Sequence, residues 1–305
     1  MMARLPAWVQ RMLGALLSLV LLGGLLWWAH QQQADWSRVL DIPAAAWALL
    51  AASLMTSYLL RASRMHCELS ANQPVGRWMV LQIALAHNAA VNLMPMRSGE
   101  LAYPALLRRH LRIELAQSIP SLAWMRLQDL VVLGALALLL LPLLPWWAKL
   151  AALLTGTAMG YGLLRWLRRN PVKLPTFAAA FVDALLSSEK HSLATWLYCV
   201  GNWVVKLGGV GGFLWLATGT SASAALAGAM AGELSSLLPI QGPANLGAYE
   251  AAVWSAISLG SRTLSADLPA MILVMHAAMV LMAITLGLLA WLSIKTRHDT
   301  AIETH

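Results

Sequence analysis

Long apolar runs alternate with short polar connections along most of the chain. A membrane hydrocarbon core is about 30 Å thick, so a crossing helix needs about 20 consecutive apolar residues. The segments that approach this length are Met12–Ala29, Pro43–Leu60, Trp78–Met94, Ser121–Leu141, Pro145–Leu167, Leu193–Ala217, Ser223–Ile240 and Pro269–Leu292. Two shorter apolar pieces, Leu101–Leu107 and Leu246–Leu259, are not assigned as crossings. The pattern predicts an all-α, polytopic integral membrane protein with six to eight transmembrane helices.

The composition agrees with this pattern and excludes an ordinary soluble enzyme. Of the 305 residues, 59% are hydrophobic and 11% are charged, and the mean hydropathy is +0.66. Soluble globular proteins average about 25% charged residues. The connections leave no room for a separate soluble catalytic domain, so we expect one transmembrane domain over residues 1–305, with its core at 10–292 and a cytoplasmic tail at 293–305.

The distribution of basic residues predicts how the chain is threaded, because positively charged connections lie on the cytoplasmic side of a membrane. If Trp78–Leu107 enters the membrane and returns by a turn at Pro95–Glu100, two groups of basic residues fall on one side. They are Arg61, Arg64 and Arg77 in the polar connection before it, and Arg108, Arg109 and Arg112 after it. If Ser223–Leu259 likewise enters and returns, by a turn near Pro239–Gly247, the basic residues near the end of the chain also lie on the cytoplasmic side. We prefer six crossings and two re-entrant hairpins, with both termini cytoplasmic. Eight full crossings are the alternative.

In the preferred topology a crossing–hairpin–crossing unit occurs twice, once from each side of the membrane. Such inverted repeats, with broken helices that meet near the midplane, are typical of transporters. Three cations are then expected at membrane depth: Arg97, Arg126 and Lys206. The net charge of +8 lies mainly in the cytoplasmic connections, where it indicates contact with anionic lipids and not with nucleic acid.

The densest group of polar and helix-breaking residues surrounds the first predicted turn and consists of Asn88, Asn92, Pro95, Arg97, Gly99 and Glu100. Non-helical backbone inside a membrane is tolerated only where it is buried in protein or lines a wet cavity. Charged residues there usually mark function, and the planar guanidinium of Arg97 suits a phosphate or a carboxylate. The alternative is a local pair between Arg97 and Glu100 at a surface turn.

Arg126 and Asp129 lie three residues apart in the following span and therefore share a helix face. In one interpretation they form a self-contained pair that holds helices in register. In the other, Arg126 is the counter-ion of Glu100 or of a bound headgroup. The sequence leaves both open.

The second predicted turn contains four helix-breaking residues, Pro239, Gly242, Pro243 and Gly247. A helix is predicted from Ala248 onward, and the N-terminus of a helix favours anions. Asn245 lies in this turn and is a candidate headgroup ligand. Glu250, in the first helical turn, either compensates the helix dipole or accepts a proton.

The remaining intramembrane polar residues suggest structural pairs. Glu233 is interpreted as a partner of Lys206, and His87 and His276 as interhelical hydrogen-bonding residues. No His, Cys or acidic residues show the spacing of metal ligands, and no serine has an evident triad partner. We therefore predict no metal, no cofactor and no catalytic residue.

Together these motifs resemble the flippase-like membrane family related to the transmembrane domain of lysylphosphatidylglycerol synthases. The Pro-x-Arg-x-Gly-Glu turn of that family matches Pro95–Glu100, and its Arg-x-x-Asp matches Arg126 and Asp129. Its final Pro- and Gly-rich turn matches Pro239, Pro243, Gly247 and Glu250. The resemblance covers roughly residues 10–292.

The chain also departs from the family pattern. Ala102 and Tyr103 stand where members often have an Arg, and Asn245 stands where a Gly is common. The cytoplasmic aminoacyl-transferase domain of the synthases has no counterpart in these residues. The resemblance therefore implies lipid handling or translocation and not lysine transfer.

We predict a protein that binds a phosphate-bearing polar lipid and flips it between the leaflets of a bacterial inner membrane. The predicted headgroup ligands are Arg97, Arg126, Asn92 and Asn245. The residues predicted for charge balance or proton coupling are Glu100, Asp129, Glu250, Glu233 and Lys206. The alternatives are an embedded enzyme acting on a polar lipid or a lipid-linked sugar, and a scaffold for a partner lipid-modifying enzyme.

Overall fold

The computed structural model describes residues 35–71, 73–140, 144–169, 193–237, 242–260 and 265–303, together with isolated positions between residues 12 and 31. In these ranges the chain is helical and contains no strand. The α-helices, numbered in chain order, are α1 Ala44–Ser70, α2 Arg77–Leu93, α3 Ala102–Leu111, α4 Leu115–Leu140, α5 Trp146–Arg169, α6 Leu193–Thr218, α7 Ala222–Ser235, α8 Ala248–Gly260 and α9 Leu268–Glu303.

Four helices in the described part of the chain are long and apolar enough to cross a membrane: α1, α4, α6 and the Leu268–Ile294 part of α9. Each has at least 26 residues, and a helix of that length extends about 40 Å, more than the hydrocarbon thickness. The predicted all-helical, multi-pass membrane protein is therefore confirmed. The last helix continues through residues 293–303, which the sequence analysis assigned to a tail.

The helices around the two predicted turns are shorter. Helix α2 has 17 residues, α3 has 10, α7 has 14 and α8 has 13. The predicted span Ser223–Ile240 is too long, because the helix ends at Ser235. Fourteen residues extend only about 21 Å, less than the hydrocarbon core.

The first described span is longer than predicted. The predicted span ends at Leu60, with Arg61 and Arg64 in the polar connection after it. In the structure α1 continues to Ser70. The reason is that Arg64 is buried, with 3% of its surface exposed, and is paired with an aspartate of α4. Since this pairing offsets the cost of the buried charge, the helix extends past both arginines.

The two turns are built differently and touch each other. Helix α2 ends at Leu93, and a 3-10 helix, Pro95–Leu101, follows an extended residue before the proline. Gly99 packs so tightly that a Cβ there would overlap the backbone of Ala90 and Val91. The second turn holds a 3-10 helix, Pro243–Asn245, and reaches α8 through Gly247 at φ +83°, a conformation that glycine adopts without strain.

Interhelical packing brings the halves of the chain together. Helix α1 packs along α6, α2 along α9, and α7 along α8. One core cluster joins residues of α1, α4, α6, α7, α8 and α9, and a second lies around α2 and α3. The crossings of the first half are thereby held against those of the second, with the two turns between them.

Candidate functional site

A cavity of about 620 Å³ lies between the two turns and the long helices. Its polar and aromatic lining residues are Ser57, Tyr58, Arg61, Asn88, Asn92, Glu100, Arg126, Asp129, Trp203, Lys206, Glu233, Ser236, Asn245, Tyr249 and His276. They come from both halves of the chain. The cavity thus collects most of the residues that the sequence analysis singled out.

Asp129 on α4 is the centre of the charged wall of this cavity. Its carboxylate accepts hydrogen bonds from Arg64 of α1 at 2.7 and 3.3 Å, from Arg126 at 3.0 Å and from the Trp203 indole N–H of α6 at 3.0 Å. Only 3% of the Asp129 side chain is exposed. Three helices therefore meet at one carboxylate, which neutralises charges that could not be buried alone.

Arg126 extends this network to the first turn. One of its nitrogens lies 2.7 Å from a carboxylate oxygen of Glu100, and the other bonds Asp129. His87 of α2 lies 3.4 Å from the same glutamate. The structure combines the two interpretations of Arg126, because it is a partner of Asp129 and a counter-ion of Glu100 at once.

Arg61 is the arginine of this wall that is left without an acidic partner. Its guanidinium donates a hydrogen bond to the Asn88 amide oxygen at 3.1 Å and, among the described residues, forms no ion pair with a carboxylate. Asn92, one turn further along α2, also lines the cavity and donates to the Asn88 carbonyl oxygen at 2.8 Å. Arg61 and the two asparagines thus present a cationic, hydrogen-bonding surface to the cavity.

Arg61 and Arg64 were not predicted as site residues, although the sequence contains a pattern that places them on a helix. Polar residues recur at Ser53, Ser57, Arg61, Arg64 and Glu68, at intervals of three and four. That spacing places them on one helix face. The stripe indicates a helix that continues past Leu60, and the apolar run alone did not show it.

The second half of the chain lines the cavity with an ion pair of its own and with a polar turn residue. Lys206 of α6 lies 2.7 Å from Glu233 of α7, the pairing that the sequence suggested. Asn245 has φ +56° and donates its amide N–H to the Ser235 hydroxyl at 2.9 Å. Asparagine is one of the few residues that tolerate this conformation.

Glu250 lies in the first turn of α8, where the sequence predicted it, and has a further partner. One carboxylate oxygen accepts the Gly247 N–H at 2.7 Å, and the other lies 2.7 Å from Nδ1 of His276 on α9. The imidazole stacks on the Tyr249 ring, with centroids 4.1 Å apart and planes inclined by 20°. His276 thus joins the site through a buried carboxylate, a role the sequence analysis did not give it.

Some predicted site residues are not described. The side chains of Pro95 and Arg97, and the whole of Pro239, lie outside the described residues. The backbone of Pro95 and Arg97 belongs to the first 3-10 helix. The headgroup and proton-coupling roles assigned from sequence stay predictions.

The charged wall adjoins an apolar one. Helix α4 lines the cavity with Ile119, Leu122, Ala123 and Leu130, which share a face with Arg126, and α2 adds Val91 and Met94. Leu130 is 55% exposed and Met94 is 48% exposed. The cavity is therefore amphiphilic, with accessible apolar side chains beside the charged wall.

Comparison with known families identifies a match over most of the chain. Residues 15–287 match the family model of the lysylphosphatidylglycerol synthase TM region. No curated protein and no solved structure matches the chain.

We expect Asp129→Asn to destabilise the protein strongly. It leaves the buried Arg64 without its carboxylate, and breaking a buried ion pair typically costs about 3–5 kcal/mol. Thermal unfolding in detergent measures the effect. Glu114→Gln, an exposed acid just before α4, is the matched control and is expected to unfold at the wild-type temperature. Equal unfolding temperatures for both variants would contradict the structural role of Asp129.

Proposed function

The chain belongs to the family of lysylphosphatidylglycerol synthase TM regions, and from that premise we propose that it binds a phosphate-bearing polar lipid and moves it between bilayer leaflets. The family and the crossing helices make it a multi-pass membrane protein of lipid metabolism or transport. The observation that carries the proposal is Arg61, a guanidinium without an acidic partner among the described residues, in an amphiphilic cavity.

An anionic phosphate is the ligand that best fits the charged wall. Among the described residues, Arg61, Arg64 and Arg126 lie in a network with two carboxylates, those of Glu100 and Asp129. A guanidinium binds a phosphate oxygen pair through parallel N–H donors. Arg61 would take this role, with Asn92 and Arg126 beside it, because Arg64 is paired with Asp129 and does not line the cavity.

The apolar wall supports a lipid over a free phosphate compound. Ile119, Ala123 and Leu130 lie on the same face of α4 as Arg126. A headgroup at the arginines would leave its acyl chains along this face and in the bilayer. Transport between leaflets requires a polar path for the headgroup only, because the chains stay in hydrocarbon.

We place the turns as the tips of two re-entrant hairpins, α2–α3 and α7–α8, with both chain termini on the cytoplasmic side. Helices α3, α7 and α8, with 10, 14 and 13 residues, are too short to cross the hydrocarbon core. The two turns touch each other beside the cavity. Non-helical backbone at that depth is tolerated because it lines a polar cavity. This arrangement is typical of transporters that alternate access around a central site.

We expect Arg61→Gln to slow headgroup flipping at least tenfold in reconstituted vesicles, since a lost charge-assisted contact of about 1.5–3 kcal/mol corresponds to that range. The assay follows a tail-labelled phosphatidylglycerol by the protection of its label from an impermeant quencher. Arg109→Gln, an exposed arginine on α3, is the control.

Two results decide against this proposal. Flipping at the wild-type rate in a folded Arg61→Gln protein excludes the anion site. Conversion of the labelled lipid into a new product, detected by mass spectrometry, favours the embedded enzyme instead.

Cysteine labelling tests the hairpin topology. In a Cys67→Ala background, with Cys199 buried, single cysteines replace Ala71, Arg109 and Leu144, all of which are exposed. We expect an impermeant maleimide to reach positions 71 and 109 from one side and position 144 from the other. Labelling of positions 71 and 109 from opposite sides means that the α2–α3 segment crosses the membrane.

A further inference from the structure

The pair formed by Glu250 and His276 connects a buried carboxylate to a side chain that lines the cavity. Glu250 is fully buried, whereas the His276 ring lines the cavity. Nδ1 of the ring is engaged by Glu250 at 2.7 Å. Among the described residues, Nε2 of His276 has no hydrogen-bond partner. One edge of the ring is thus tied to a buried carboxylate, and the other is available to the cavity.

The neighbours hold the ring in this orientation. Tyr249 stacks on it, and the Gly247 N–H fixes the second oxygen of Glu250 at 2.7 Å. With Glu250 ionised, its carboxylate can only accept a hydrogen bond, so Nδ1 of His276 carries the proton and donates it. Nε2 is then the atom that gains the next proton, and gaining it turns an acceptor into a cationic donor.

We propose that His276 is a proton-linked anion ligand: it takes up a proton at Nε2 from the cavity water and then donates that N–H to the phosphate of the bound lipid. The inference rests on the proposed function and adds that one proton is taken up when the lipid binds. No covalent bond changes, and the added positive charge is balanced by Glu250 on one side and by the phosphate on the other.

Of the charged and titratable groups around this ring, Lys206 is paired with Glu233 and His87 with Glu100, and the arginines keep their charge at any pH used here. His276 is therefore the group that responds. Tyr249 is on α8, and Lys206 of α6 and Glu233 of α7 form an ion pair at 2.7 Å. His87 of α2, the helix packed along α9, lies 3.4 Å from Glu100. Arg61 and Arg126 line the same cavity as His276.

The test is the affinity of the full-length protein in detergent for short-chain phosphatidylglycerol, measured by calorimetry between about pH 5.5 and 8.5. An imidazole titrates in this range, and the phosphodiester keeps one negative charge throughout it. We expect the wild-type affinity to rise as the pH falls, toward the limit of about tenfold per pH unit that one linked proton allows. His276→Gln, which presents a neutral amide to the cavity, is expected to bind with the same affinity at all pH values.

Two further variants complete the design. His110→Gln, at the end of α3 and outside the cavity, is the matched control and should keep the wild-type pH dependence. Glu250→Gln removes the balancing carboxylate and should flatten the dependence while leaving Nε2 in place.

The outcomes separate this inference from the proposed function. No binding at any pH overturns the proposed function itself. Binding that is independent of pH in the wild type, or a pH dependence that persists in folded His276→Gln, overturns only the role of His276.

Discussion

The buried carboxylate of Asp129 is the interaction on which the rest of the site depends. A charge in a membrane interior is costly unless it is paired or faces a wet cavity. This carboxylate pairs with Arg64 of α1 and Arg126 of its own helix while accepting the indole N–H of Trp203 on α6. These contacts fix three long helices around one point. Through Arg126 they also anchor Glu100 and therefore the first turn.

Because Asp129 and Glu100 are occupied by Arg64 and Arg126, Arg61 is left without a carboxylate in the described structure. The opposite wall has the reverse character, since Lys206 is paired with Glu233 and the Glu250 carboxylate is hydrogen-bonded to His276. The cavity is therefore asymmetric. In the proposed function an anion binds at Arg61, and the proposed role of His276 adds a contact that depends on protonation.

The helical, membrane-spanning character of the chain could be predicted from the sequence, because apolar runs of membrane length are a strong local signal. The breaks at Pro95 and Gly247 also followed from residue type. The end of α1 could not be read from hydropathy, since two arginines normally end a span. Only a partner on another helix, Asp129, makes their burial possible, and a contact 65 residues away leaves no mark in a local pattern.

The candidate site shows the same limit. Arg126, Asp129, Glu100 and Glu250 were identified from motifs, but His276 was interpreted as an ordinary hydrogen-bonding residue. Its pairing with Glu250 is indeed a hydrogen bond. What distinguishes it is the open edge toward the cavity, which depends on how α8 and α9 pack and on the ring of Tyr249. Such an orientation is a tertiary property that spacing along one helix does not encode.

The most direct measurement of the central claim is an experimental structure of the protein in lipid nanodiscs containing phosphatidylglycerol. The account predicts phosphate density within hydrogen-bonding distance of the Arg61 guanidinium, with acyl chains leaving the cavity along Ile119, Ala123 and Leu130 of α4. A structure in which Arg61 pairs with a carboxylate, and lipids occupy only the outer surface, would contradict it.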